Sequence, residues 1–411
     1  MASRKDKEML RALAAEQAEI AALPAQEEMR RLWRKLNAKR PERPMVMIDQ
    51  VCWNEMNVDD ELTLRCEDAE CRKYEEKLRR TIYQWRHFPV DMVVEPNIYV
   101  ERAVEGFTLG LSAMDEKAVG DPTNSVVGHR FINQLENDSD LDKIKTPHLV
   151  EDKAESMRRL ELAHEIFDGR LEVVACHDRS YLSVWDPISS WMGVENALYA
   201  IIDRPEFIAE LVRRMVQGYM AMFDQMEELG LLHLPQPLIH CTGAWTEELP
   251  SAGFDPAKPR TQDIWGFGLA QMLATVSPEM FDELEVQPLQ PLFERFGLIY
   301  YGCCDPLDKK MEQVRKIPNL RKVSMSPWVD EERGAAEIKG DFVYSRKPNP
   351  ALLAWDSFKE EDIRSHLQKS IDACRRHGCP LEIILKDIST VRYQPQRLWR
   401  WAEIAMELVN G

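Results

Sequence analysis

Short apolar runs alternate with longer segments of helical periodicity along most of this chain. Met45–Ile48, Asp91–Val94, Leu171–Ala175, Leu238–His240, Gly297–Tyr301, Leu320–Met325, Asp341–Tyr344 and Leu381–Leu385 read as buried strands. The stretch 193–229, punctuated at Pro205, and the segments Pro278–Phe296 and Lys359–His377 read as helices. Alternation of this kind argues for a parallel α/β sheet, and eight candidate strands favour a closed (β/α)8 TIM barrel over an open sheet. Residues 1–43 predict an N-terminal helical extension, with apolar positions at Leu10, Leu13, Ile20 and Leu32 and prolines at 41 and 44 ending it. It reads as a solvated helix or a subunit contact. The barrel then occupies 44–411. Within it, residues 101–165 are polar and irregular, with Gly106, Gly110, Gly120, Pro122 and Gly128, and read as an insertion near the barrel mouth.

Charge and composition narrow the function. Fifty-three basic and 70 acidic side chains give a net charge of −17, a field that repels a phosphate backbone and argues against nucleic acid as a partner. No apolar run approaches the roughly 20 residues of a membrane span, and the N-terminus has no apolar signal core, so a cytoplasmic location and no membrane partner are expected. The nine cysteines form no small-scaffold pattern and read as buried thiols or metal ligands. Neither a dinucleotide fingerprint nor a phosphate loop is present, which removes nucleotide-binding folds.

In a parallel barrel, chemistry collects where strands run out into loops. The residues at those positions are Asp49 and Gln50, Glu95 and Asn97, Cys176-His177-Asp178-Arg179, His240-Cys241, Tyr301-Gly302-Cys303-Cys304-Asp305, Ser326 and Trp328, Ser345-Arg346-Lys347, and Lys386-Asp387. Thiolate, imidazole and carboxylate from separate strands suit a catalytic zinc with an open coordination position. Cys303 and Cys304 also read as small buried core residues at a strand end. His177 reads as a hydrogen-bonded pocket or substrate residue. Arg346 and Lys347 are either a carboxylate clamp or a solvated loop, and Lys386-Asp387 an ion pair.

Three motifs carry a family resemblance. D-I-W-G at 263–266, S-P-E-M-F at 277–281 and P-L-F-E-R-F-G-L-I-Y-Y-G-C at 291–303 resemble the uroporphyrinogen decarboxylase superfamily. W-D-P at 185–187, G-V-E-N at 193–196 and D-R-P-E at 203–206 extend the similarity, which spans roughly residues 45–410. The decarboxylases carry an arginine loop after the first strand, whereas this chain reads Met47-Ile48-Asp49-Gln50, so a polycarboxylate tetrapyrrole is not its substrate. The other branch of the superfamily contains zinc-dependent methyltransferases that work with corrinoid proteins. Against their H-x-C-G-[DN] motif this chain places Tyr301, Cys303, Cys304 and Asp305, and where they have a later Cys it reads Leu385-Lys386-Asp387.

The resemblance implies a substrate:corrinoid methyltransferase. A methyl group would pass from a methoxylated, aromatic compound or a methylamine to the Co(I) of a cobalamin carried by a partner protein, with zinc as Lewis acid. His240, Cys303 and Cys304 are the expected metal ligands, with Asp305 in reserve, and Tyr301 and Asp387 the expected proton donors. Trp53, Trp265 and Trp328 would wall an aromatic ring, with Glu95, His177 and Arg346 as further substrate contacts. A homodimer is implied by the same resemblance. Two other readings stand beside it: a metal-independent decarboxylase of a small carboxylic acid, with Asp49 or Asp387 relaying the proton, and a binding barrel without chemistry.

Overall fold

The computed structural model describes residues 2–120, 127–177 and 180–411; Pro122, Asp178 and Arg179 lie outside them. Seven parallel strands form one sheet in the spatial order Met45–Ile48, Leu381–Leu385, Val343–Arg346, Leu320–Met325, Leu298–Tyr301, Trp265–Gly268 and Tyr181–Leu182. Long helices connect several of them, among them Pro205–Glu228 and Glu360–His377, the latter stopped by Gly378 in the left-handed region. This is the α/β architecture expected. The ladder does not close into a ring among the described residues. Asn97–Glu101 and Glu172–Cys176 pair with each other as a separate parallel ribbon, and the 91–94 run touches the sheet through the Asp91 N–H, which donates to Val46 C=O at 2.9 Å.

Two further differences have plain causes. The Leu238–His240 run is not a sheet strand: Leu238–Ile239 folds back on Thr242–Gly243 as a tight antiparallel hairpin, with His240 at a φ of +51°. The strand at Trp265–Gly268 was not expected, because glycine at every second position hides its β pattern. Those glycines face the helix layer, where Cβ atoms on Gly266 and Gly268 would meet the rings of Phe296 and Phe293 at 2.7 Å. The Pro278–Phe296 helix forms with a π turn over Asp282–Val286, just before Pro288 and Pro291, whose missing N–H groups disturb the regular ladder.

Period-two alternation sorts every strand into two faces. Val46, Ile48, Ile299, Tyr301, Val323, Met325, Tyr344, Ile383 and Leu385 join the large core shared with the helices. The opposite, inner face carries Met45, Met47, Val343 and Ile384 in one cluster, and Trp265, Phe267, Leu298 and Tyr300 in another. The N-terminal segment folds as two helices, Arg4–Ala21 and Pro24–Asn37. The second is not a solvated helix: Trp33 and Leu36 are buried in the inner cluster, and the Trp33 indole N–H donates to Asp91 C=O at 2.8 Å. Because Met45 and Val343 open their strands, this helix covers the N-terminal edge of the sheet and leaves the C-terminal edge for function.

Candidate functional site

At the C-terminal edge, five side chains from three segments meet. Cys303 Sγ lies 2.9 Å from Lys386 Nζ, 3.6 Å from His240 Nε2 and 3.7 Å from Cys304 Sγ. Lys386 Nζ is also 3.2 Å from His240 Nε2 and 3.3 Å from Asp387 Oδ2, and Cys304 Sγ lies 3.4 Å from Asp387 Oδ2. Local sequence explains each placement. Gly302, at a φ of +92°, turns the chain out of its strand where a Cβ would strike Leu307. The following loop is pinned by Asp305, which accepts the Cys303 N–H at 3.0 Å, and by Ser324, which donates to Cys303 C=O at 2.8 Å. The His240 ring stacks on Phe267, 4.2 Å between centroids and 10° from parallel.

The electrostatics single out one sulfur. A hydrogen bond from Cys304, then His240 and the Lys386 charge, hold the Cys303 thiol far below the ordinary cysteine range, outweighing the burial that opposes them. Its neighbour moves the other way: Cys303 and burial push Cys304 up, so the pair holds one thiolate and one thiol. Burial works against the Lys386 ammonium, yet the facing Cys303 thiolate raises its pKa.

Beneath this cluster the inner face carries a buried polar layer. Glu382 pairs with Lys322 at 2.7 Å and accepts from Thr242 and Ser345 at 2.8 and 2.5 Å. Lys347 donates to Ser345 Oγ at 2.5 Å and to the Tyr300 hydroxyl.

The structure brings together His240, Cys303, Cys304 and Asp387. It takes Tyr301 elsewhere: the ring points to the helix side and its hydroxyl donates to buried Glu285 at 3.0 Å, so the inward tyrosine is Tyr300. Arg346 is likewise turned outward, tied to Glu331 at 2.6 Å and Ser370 at 3.0 Å, and Lys347 faces in. Trp265 lies at the buried start of its strand, donating to Ala244 C=O at 2.9 Å, and Phe267 takes the place beside the cluster. Trp328 is 71% exposed. Trp53 packs edge-on to Tyr83, with Arg80 over its ring. His177 is buried and stacked on Phe107, with Glu101 3.6 Å away. Glu95 lines a cavity of about 360 Å³ with Lys77, Tyr99, His233 and Trp245, and accepts the Tyr99 hydroxyl at 2.7 Å. Lys386, Lys347 and Tyr300 are inward positions that strand parity marks, whereas Phe267 sits on a strand that its glycines conceal.

A tetrahedral zinc ion holds two sulfurs about 3.8 Å apart, and sulfur and nitrogen about 3.6 Å apart. The Cys303–Cys304 and Cys303–His240 separations match two edges of such a site. Among the described residues no three His, Cys, Asp or Glu side chains close on one point as a metal-holding group. Lys386 Nζ supplies the positive charge between sulfur and imidazole. No helix among the described residues is long and apolar enough to cross a membrane.

No family model matches the sequence, and no curated protein is found to be similar to it. The fold is similar to that of a methyltransferase from Methanosarcina mazei, with a TM-score of 0.51 and 8% sequence identity over 92% of this chain and 97% of that one. At that identity the likeness speaks for the fold.

Proposed function

We propose that this chain is a methyltransferase that moves a methyl group from a small methoxylated aromatic compound or a methylamine to the Co(I) corrinoid of a partner protein. The observation that carries the reading is the run of contacts from His240 to Cys303, Cys303 to Cys304 and Cys304 to Asp387 at the C-terminal edge of the sheet. The fold-level likeness to a methyltransferase agrees with it.

His240, Cys303 and Cys304 are the residues that would hold zinc, which when bound supplies a Lewis acid for the departing heteroatom. The chain's own side chains perform the rest. Lys386 keeps Cys303 ionised, Phe267 fixes the plane of His240, and Asp305 and Ser324 lock the loop that aims both sulfurs. Asp387, half-exposed beside the cluster, is the group placed to exchange a proton with solvent. Orientation of the methyl carbon toward the mouth, where a partner can approach, accounts for much of the rate.

The test is turnover of a methoxyaromatic compound with a reduced corrinoid protein, followed by the absorbance change of cobalt methylation, beside zinc content in wild type, Cys303→Ala and His240→Ala. Methyl transfer lost at least about 100-fold in either variant supports the reading. Folded wild type that neither binds zinc nor transfers methyl overturns it. Lys386 favours a second reading, because an ammonium at the centre of the cluster suits a metal-independent decarboxylase. Release of carbon dioxide without any corrinoid protein would identify that activity.

A further inference from the structure

One carboxyl beside the mouth has no cation. Asp186, in the first turn of the helix Trp185–Met192, is half-buried and accepts the Tyr181 hydroxyl, with Gln271 as a further donor. Among the described residues no lysine, arginine or histidine pairs with it, and the charged group that acts on it, Cys303, is negative. Burial raises its pKa; the Tyr181 hydrogen bond opposes that rise and the Cys303 charge adds to it. A carboxylate offers about four lone-pair positions, so two donors leave it able to accept more.

The space beside it is open. Asp186 lines a groove of about 390 Å³ with Phe107, Tyr181, Trp191 and Tyr219, and among the described residues no basic side chain lines it. Two of those rings are fixed through their hydroxyls, Tyr181 on Asp186 and Tyr219 on the Ser183 C=O at 3.0 Å. Tyr181 is 41% exposed and sits opposite Phe267 in the sheet, with the rings 5.6 Å apart; Phe267 in turn stacks on His240 at 4.2 Å. The groove therefore adjoins the sulfur cluster.

We propose that this groove binds an arylalkyl ammonium ion, with Asp186 as the counter-ion of the ammonium and Phe107, Trp191 and Tyr219 around the aromatic ring. This deepens the methyltransferase reading and rests on it for one point, that the ligand of the groove is the substrate. The ammonium is the handle that holds the molecule and not the group that reacts. A carboxylate drawn out of water without a cation is stabilised when one arrives, and aromatic faces attract the same charge. The volume lies within the roughly 300–1,000 Å³ of small-molecule sites. An anionic handle would meet the like charges of Asp186 and Cys303. Arg346, expected as a carboxylate partner, is turned away onto Glu331 and Ser370.

The probes are 2-phenylethylammonium and its near-isosteric anion, 3-phenylpropanoate, titrated calorimetrically into wild type, Asp186→Asn and Asp186→Glu. Wild type is expected to bind the cation at least about tenfold more tightly than the anion. Asp186→Asn is expected to lose about tenfold or more of the cation affinity, and Asp186→Glu to keep part of it. No binding of the cation by wild type, a preference for the anion, or equal cation binding in folded Asp186→Asn overturns the proposal. The contrast between cation and anion needs wild type alone, so a variant that misfolds leaves the test intact. Methyl transfer without Asp186-dependent cation binding removes this inference and leaves the activity. Asp186-dependent cation binding without methyl transfer keeps the site and removes the activity.

Discussion

Lys386 Nζ stands 2.9 Å from Cys303 Sγ, so the last strand of the sheet supplies the cation that keeps the sulfur of a distant loop ionised. A thiolate paired in this way reacts at pH values where ordinary cysteines do not.

Alkylation of the folded protein is therefore expected to label Cys303 at pH 6, while Cys304 stays unmodified. The sign follows from the lowered pKa of Cys303: the thiolate persists at neutral pH and is lost on acidification. Lys386→Met removes one of the stabilising groups and should slow labelling at pH 6 by about tenfold or more. Peptide mass spectrometry across a pH series checks both statements, and equal labelling of the two sulfurs would contradict them.

Glu285 gives a pH test away from the site. It is fully buried, and burial raises its pKa well above the carboxylate range despite the Tyr301 hydrogen bond. A raised carboxyl stabilises the fold at pH values below its unfolded pKa, and that contribution is lost as pH rises through the folded one. Glu285→Gln keeps an acceptor for Tyr301 and carries no charge. The variant should match wild type in mildly acidic solution and exceed it in stability above neutrality, as read by urea unfolding.

Asp91 ties the first strand to the segment before it. Its carboxylate accepts two bonds from Arg43, at 2.6 and 2.8 Å, and the Val46 N–H at 2.7 Å. Asp91→Ala leaves the guanidinium and the strand amide without a partner and should cost about 3–5 kcal/mol. Denaturant midpoints measure it, and a loss below about 1 kcal/mol would show that Arg43 reaches solvent instead.

Gly243→Ala tests the fit of the inner hairpin. A Cβ there would come within 2.5 Å of the Trp33 ring, which is itself buried, so a loss of about 1–3 kcal/mol is expected. Restoration by Gly243→Ala combined with Trp33→Phe would locate the clash.

Much of this was legible in the amino acids, for physical reasons that also mark where legibility stopped. Strand ends announce chemistry, and reading them selects His240, Cys303, Cys304 and Asp387. Parity is harder to see in a run such as Leu298–Tyr301, where both faces are apolar or aromatic, and a one-residue slip exchanges Tyr300 for Tyr301. The same slip exchanges Lys347 for Arg346. Trp265–Gly268 carries no strand signal because the sheet there needs flat, small outer positions for Phe293 and Phe296, and glycine conceals a strand. The hairpin carrying His240 is set by tertiary contacts of Thr242 and Gly243 with Lys322, which no local pattern records.

The burial of Trp33 against Gly243 and beneath Lys322 bears on the order in which this molecule is assembled. The indole belongs to the first tenth of the chain, and these two partners are made some two hundred and nearly three hundred residues later, whereas Asp91, which accepts its N–H, follows within sixty. On a ribosome the Gly243 and Lys322 side of its pocket is missing until most of the sheet has been synthesised, and closing so long a loop is slow. The second helix thus docks in two stages, and the nascent chain carries a partly uncovered tryptophan through most of its translation.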